Sequence, residues 1–305
     1  MAIDTGTIIG GPALVFYRGG LFYSQGDIVW TNTKATFPIK TDVFQNVDDR
    51  LMNEQIKLTF TPVGEWEELA VLWPYATTKL GSIVNDNSDL IIFTTAGKRL
   101  TFHNAIVAKM PDIHLSAVKT LIGQVEIDCY LKNNTAPDDA DARWSIADDL
   151  LNDTTFNPDN VFTQPYKASW GAAPWDDFET KEGFVVNFAE TWEVVHTDSL
   201  GNVATRLSGL GVTVKAQPLG ISEEQMLEKL LLQGTGAVRG RSLSGDDLII
   251  QGTSVYVRIN KASLRNSVQH FAANLERIGE LTWSANRKFV SGVAQPLFFV
   301  GTTAP

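Results

Sequence analysis

The chain repeats itself, and the repeat limits what it can fold into more than any other feature. At an offset of 156 positions Thr41-Asp42 match Thr197-Asp198, and Arg50-Leu51 match Arg206-Leu207. Pro62, Gly64, Glu67 and Glu68 match Pro218, Gly220, Glu223 and Glu224 at the same offset, His114 falls on His270, and Ile122-Gly123 fall on Ile278-Gly279. Between these anchors "SDLIIFTTAGKRLTFHNA" (88–105) lies over "DDLIIQGTSVYVRINKA" (246–262), with the offset moving to 158 and back. Such slips belong in loops. One offset kept over so long a stretch implies two homologous units, residues 12–131 and 168–287.

Each unit reads alike. "GDIVWTN" and "EGFVVNF" are strands rich in β-branched and aromatic residues, followed by polar segments (31–53 and 187–209) and the alternating strands "EQIKLTF" and "LGVTVKA". A short helix comes next. In the first copy Gly64 starts it with Glu67 at the third helical position, and in the second Ser222 with Gln225 forms a capping-box pattern. Trp66, Leu69 and Trp73 share one face of the first helix, and Leu227, Leu230 and Leu231 one face of the second. Further strands follow. In the closing "IGQVEIDCYL", Val125, Ile127 and Cys129 alternate with Gln124, Glu126 and Asp128.

The expected fold class is mainly β: two tandem β-sandwich or barrel units, each with one flanking short α-helix. Residues 1–136 form the first unit with its N-terminal arm, 137–167 an acidic linker, and 168–305 the second unit with its C-terminal arm. From Pro137 to Asn160 the linker carries seven Asp and one Arg, which predicts an exposed segment with a short helical turn around Ile146 to Leu151. Leu297 to Val300 would be costly to leave in water, so the C-terminal arm is expected on a neighbour or on its own core.

The sequence offers little chemistry. The two Glu pairs sit in a helix's first turn, where the positive end of the helix stabilises carboxylates, and adjacent helical positions do not face each other as an acid–base pair must. "GTGAVRG" (234–240) has the spacing of some dinucleotide loops, yet it follows a helix and no helical pattern follows it. His103, His114, His196 and His270 are in no metal spacing, and a His at a loop end is usually a hydrogen-bonding residue. Cys129 is the only cysteine, which excludes an intramolecular disulfide and a Cys-based zinc site. No nucleophile elbow or Walker-A sequence appears. No catalytic, cofactor or metal residues are assigned, and no enzyme activity is expected.

A net charge of −10 without a Lys/Arg cluster argues against function through phosphate-neutralising contacts. An acidic wall can still face DNA, because like charge keeps a polyanion from sticking. Asp4 stands where a signal peptide wants positive charge, and no apolar run approaches the ~20 residues of a membrane span, so the expectation is a protein made and kept in solution.

The order of elements in "LTFTPVGEWEELAVLWPYATTKLGSIV…DLIIFTTAGKRLTFHNAIVAKMPDIHLSAVKTLIGQVEI" resembles the tail tube proteins of long-tailed bacteriophages. It does so through its strand, Pro-x-Gly turn, short helix, paired strands and closing strand. The resemblance covers most of each unit. It implies a β-sandwich with a flanking helix, six of which close a ring whose inner wall is a continuous β-barrel, the rings stacking into a conduit for DNA. Two units per chain depart from the simplest pattern and imply that three chains build a ring with pseudo-six-fold symmetry. The implied partners are further copies of the chain, other tail proteins, and DNA passing an acidic lumen unbound, with no membrane and no cofactor. The implied location is the virion tail, assembled in the host cytoplasm.

In that family the place of segments 31–53 and 187–209 is taken by a long loop or hairpin that touches the adjoining ring. The resemblance thereby makes Thr41, Asp42, Arg50, Leu51, Thr197, Asp198, Arg206 and Leu207 candidate contacts, with an ordinary surface ion pair as the plainer reading of Arg50 and Arg206. Phe298 and Phe299 are candidates from the apolar arm. Two alternatives stay open: a terminal ring such as a distal tail or baseplate protein, and a tandem carbohydrate-binding β-sandwich, which would need exposed aromatics in a groove and for which Trp170 and Trp175 are available.

Overall fold

The computed structural model describes residues 13–43, 45–84, 88–118, 121–131, 143–149, 164–171, 175–197, 201–219, 245–269 and 278–304. The chain is mainly β, built from antiparallel sheets. Its first strands are β1 (Ala13–Tyr17), β2 (Gly20–Ser24), β3 (Val29–Thr41), β4 (Gln45–Phe60) and β5 (Pro62–Val63). A helix α1 (Trp66–Leu69) continues into a 3-10 turn, Ala70–Leu72, and leads to β6 (Ile83–Val84), β7 (Leu90–Thr94), β8 (Lys98–Phe102) and β9 (Ala105–Lys109). Then come β10 (Ile113–Leu115), β11 (Leu121–Ile122), β12 (Val125–Cys129), β13 (Trp144–Asp148) and β14 (Lys167–Trp170). Three long strands follow, β15 (Glu179–Thr197), β16 (Gly201–Leu219) and β18 (Tyr256–Gln269), and β17 (Asp246–Gln251) and β19 (Ile278–Ser284) flank the last of these. A small hairpin of β20 (Phe289–Val290) and β21 (Val293–Ala294) precedes β22 (Phe298–Gly301).

In the first half a six-stranded sheet, ordered β13-β8-β7-β1-β2-β5, faces a four-stranded one, ordered β3-β4-β12-β9. Apolar residues at every second position of β2, β7 and β8 on one side and of β12 and the end of β4 on the other meet between them. Ile56, Leu58 and Phe60 of β4 and Val125, Ile127 and Cys129 of β12 are buried, as the alternation in the sequence predicts. Phe22 and Phe60 stack across the gap, ring centroids 5.9 Å apart. Between β8 and β9 the chain crosses from one sheet to the other at His103-Asn104, where Asn104 takes φ 47. A bend of this kind is how a strand turns the corner of a sandwich. In the second half the crossing lies inside β18, where Lys261 also has φ 47 and the Asp247 carboxylate accepts its N–H. Because β18 runs through both layers, the strands of the second half join one ten-stranded sheet, which also takes in β6, β10 and β11 of the first half.

The strand pairings recur along the chain. Thr41↔Gln45 closes the first long hairpin and Thr197↔Gly201 the second, a shift of 156. Ser24↔Pro62 recurs as Thr180↔Pro218, Leu58↔Ile127 as Val214↔Trp283, and Ile113↔Ile122 as Gln269↔Ile278, all at that shift. Leu90↔Phe102 recurs as Leu248↔Ile259, and Val15↔Phe22 as the isolated bridge Ala168↔Phe178, with small slips between.

Two expectations change. The turn expected to be helical around Ile146 is strand instead: β13 pairs along β8, Asp149 meets Arg99 at 2.8 Å, and Asp148 bonds Lys98. Those acidic residues find cations on an open sheet edge, which a reading from charge alone treats as solvation. Residues 150–151 lie outside the described residues. Helix α1 is capped by Glu65 through its backbone, one position after Gly64 and with no side-chain cap; Trp66, Leu69, Leu72 and Trp73 are buried beneath it. The matching second helix and "GTGAVRG" fall outside the described residues. The C-terminal arm meets its expectation. As β22 it pairs Phe298↔Ile259 on the edge of β18, the register in which β13 pairs Trp144↔Phe102 on β8.

Trp170, Trp175, Phe178, Phe184 and Trp283 form the aromatic centre of the second half, with Trp175 and Trp283 fully buried. Replacing Trp283 with Ala removes the ring that contacts both Trp170 and Phe178. The expected cost is about 3–5 kcal/mol of unfolding free energy, measured by denaturant titration.

Candidate assembly interface

The two long hairpins, β3-β4 and β15-β16, occupy the segments singled out as polar in the sequence. Their polarity follows from their geometry: from Val29 to Thr41 almost every residue of β3 is exposed, and at its base Trp30 packs against Phe102 and Trp144 of its own half. Strand β15 is treated differently. Its beginning lies along the edge of the first half, in the register Ile113↔Val186, His114↔Val185 and Leu115↔Phe184.

Side chains complete this junction. The Met110 N–H donates to the Glu190 carboxylate at 2.7 Å, the Phe188 N–H to Asp112 at 3.1 Å, and the Trp192 indole to the Ala108 carbonyl at 2.6 Å. Burial pushes the Glu190 carboxyl up to about 7, against the pull of the Met110 hydrogen bond and of Lys109, with Asp112 adding to the rise. Gly183 makes the approach possible. It has φ +95, and a Cβ there would stand 2.2 Å from the Leu115 carbonyl oxygen.

Two further contacts fasten the halves. At β6 the chain pairs with β16 through Thr205↔Val84 and Arg206↔Ile83, and the Gly81 N–H donates to the Leu207 carbonyl at 2.8 Å. From the other end of the chain, Gly301 accepts from the Trp66 indole at 2.6 Å and the Leu297 N–H donates to Ala76. Trp73 packs on Phe188, which in turn meets Phe298 edge-on.

The candidate residues thus divide. Leu207 is 0% exposed and Phe298 1%, both buried within the chain itself, while Phe299 packs on Tyr256. Arg206 forms an exposed pair with Glu193 at 3.8 Å, as its plainer reading expected. Thr41, Asp42, Arg50 and Leu51 lie on or beside the first hairpin, Asp42 in its turn, and all are exposed. Leu51 is 52% exposed although its counterpart Leu207 is covered. Thr197 ends β15, and Asp198 lies outside the described residues. Phe37, Ile39, Val43, Val47 and Met52 join Leu51 as exposed apolar residues of the first hairpin. Sequence reading missed Glu190, Trp192 and Gly183, because nothing in one strand names the edge it will meet.

His114 sits in β10 within the junction, and His270 lies outside the described residues. Among the described residues no group of three or more His, Cys, Asp or Glu is arranged to hold a metal ion, and no helix is long and apolar enough to cross a membrane.

A carboxyl held above its ordinary value stabilises the fold most when protonated, so the Glu190 contribution is present below about pH 4.5 and is lost as pH rises through about 7. Glu190→Gln keeps an acceptor for Met110 without the charge. Melting curves are expected to show the variant gaining on the wild type between those limits, by about 2 °C at pH 8.

In comparisons with known proteins, no family model matches the chain and no curated protein matches it significantly.

Proposed function

We propose that this chain is two tandem copies of a tail-tube-type β unit, and that three chains close a ring of pseudo-six-fold symmetry that stacks into a phage tail tube. The observation that carries this reading is the recurrence of strand pairings at a shift of 156, the hairpin ends Thr41↔Gln45 and Thr197↔Gly201 among them. A unit built twice, whose copies already meet edge to edge inside one chain, has the form of a head-to-tail contact, and such a contact yields rings when its rotation closes.

The long hairpins support the stacking part of the proposal. Towards its tip the first carries Phe37, Ile39, Val43 and Val47 exposed on an otherwise polar ribbon, more than a solvated loop needs. In this reading the hairpins reach the next ring, the lumen is acidic in keeping with the net charge of −10, and DNA slides through without being held. For the carbohydrate alternative Trp170 and Trp175 are not available, being buried in the core, and the aromatics that do line an open cleft are Trp30 and Trp144.

Purified full-length protein, followed by light scattering and negative-stain microscopy as concentration rises, is expected to form trimeric rings with six-fold texture that stack into tubes. Rings that never stack would move the assignment to a terminal ring of the tail, and a protein that stays monomeric at high concentration would overturn both.

A further inference from the structure

Two sheet edges are left over when the halves join, and they match. Inside the chain β10 of the first half pairs with β15 of the second through Ile113↔Val186. The counterpart of Ile113 is Gln269, since Ile113↔Ile122 and Gln269↔Ile278 are the same pairing shifted by 156. The counterpart of Val186 is Trp30, because the hairpins superpose residue for residue at that shift. Yet among the described residues β3 pairs only with β4 around Trp30, and β18 beyond Ser263 pairs only with β19.

The surroundings repeat the mismatch between open and covered. Val186 is fully buried, whereas Trp30 is 38% exposed. Phe188 and Phe298 of the second half are covered by Trp73, and the Trp66 indole reaches Gly301 beside them. At the matching place in the first half, Trp30 and Trp144 instead line an open cleft of about 1020 Å³ with Tyr23, Val29 and Phe102. Among the described residues, none of the first half fills it.

We infer that the edge of β3 at Trp30 is the docking site for a second copy of this chain, whose β18 adds on antiparallel in the register Gln269↔Trp30. This rests on the ring reading and supplies the interface between its chains. The occupant is the second half of another copy, because the equivalent contact within the chain, β10 on β15, already has that geometry. An exposed edge with an apolar cleft beside it is also the kind of surface that proteins normally cover. The contact is heterologous: each chain offers Trp30 to one neighbour and Gln269 to the other.

Antiparallel partners stand about 4.5–5.5 Å apart at Cα, within reach of a disulfide. Full-length protein carrying Gln269→Cys together with Val29→Cys, Trp30→Cys or Thr31→Cys, in turn, is oxidised mildly after assembly, with the single variants and the wild type, which has only buried Cys129, as controls. The expected result is covalent dimers and trimers, with a yield at position 30 several-fold above those at 29 and 31. Since Trp30→Cys removes a packed ring, a second reading comes from Leu51, whose counterpart Leu207 is buried at the junction of the halves: with Leu51→Asp the concentration needed for assembly is expected to rise at least about tenfold, with the melting temperature unchanged. Rings that form with no cross-link above the single variants, or that tolerate Leu51→Asp, would overturn this interface while leaving the ring reading intact. A chain that never assembles would overturn both.

Discussion

Three antiparallel residue pairs, from Leu115↔Phe184 to Ile113↔Val186, carry the organisation of this molecule. A β-sheet edge exposes a row of unpaired N–H and C=O groups, and a chain of several antiparallel sheets has many such edges to satisfy. By laying β15 on the edge at β10 the chain removes two of them at once. Everything that reaches across the halves, from the Glu190 carboxylate to the Trp66 indole, is placed by that contact. Its closeness depends on Gly183, where any side chain would collide with the opposing carbonyl.

Layered packing stabilises both halves, and their buried residues form one continuous cluster. Alternating strands turn one face inward, and large rings fill the space: Phe22 on Phe60 in the first half, Trp170, Phe178 and Trp283 in the second. Both halves turn the sandwich corner with a residue at φ 47, Asn104 or Lys261, although neither is Gly. Each is held from nearby, by an Asn104 side chain donating to Leu131 and by an Asp247 carboxylate accepting from Lys261. Keeping that backbone bend through such different side chains is consistent with the bend being required by the two-layer path and not by the residue.

Much of the fold was legible in the sequence. The alternation of Val125, Ile127 and Cys129 named the buried face of β12 before any coordinates, and the positions of Thr41 and Thr197 mark the ends of the two hairpins. The acidic stretch was read less well. Asp148 and Asp149 look solvated as a charge pattern, but a free edge at β8 carries Lys98 and Arg99, and pairing with it turns the segment into strand. The candidate contacts split in the same way. Leu51 and Leu207 are the same residue of the same motif, and only their neighbours make one exposed and the other buried.

Taken alone, the amino-acid sequence determined the period of the repeat, the β character of the chain and the faces that turn inward, because these depend on side-chain order along a local backbone. Only the tertiary structure decided which edge meets which, that Glu190 and Trp192 close the junction, and that Trp30 lines an open cleft. Pairing between strands far apart in the chain is a contest among many edges of similar chemistry. Its outcome rests on close approach, as at Gly183, and on the burial of groups that the sequence does not bring together.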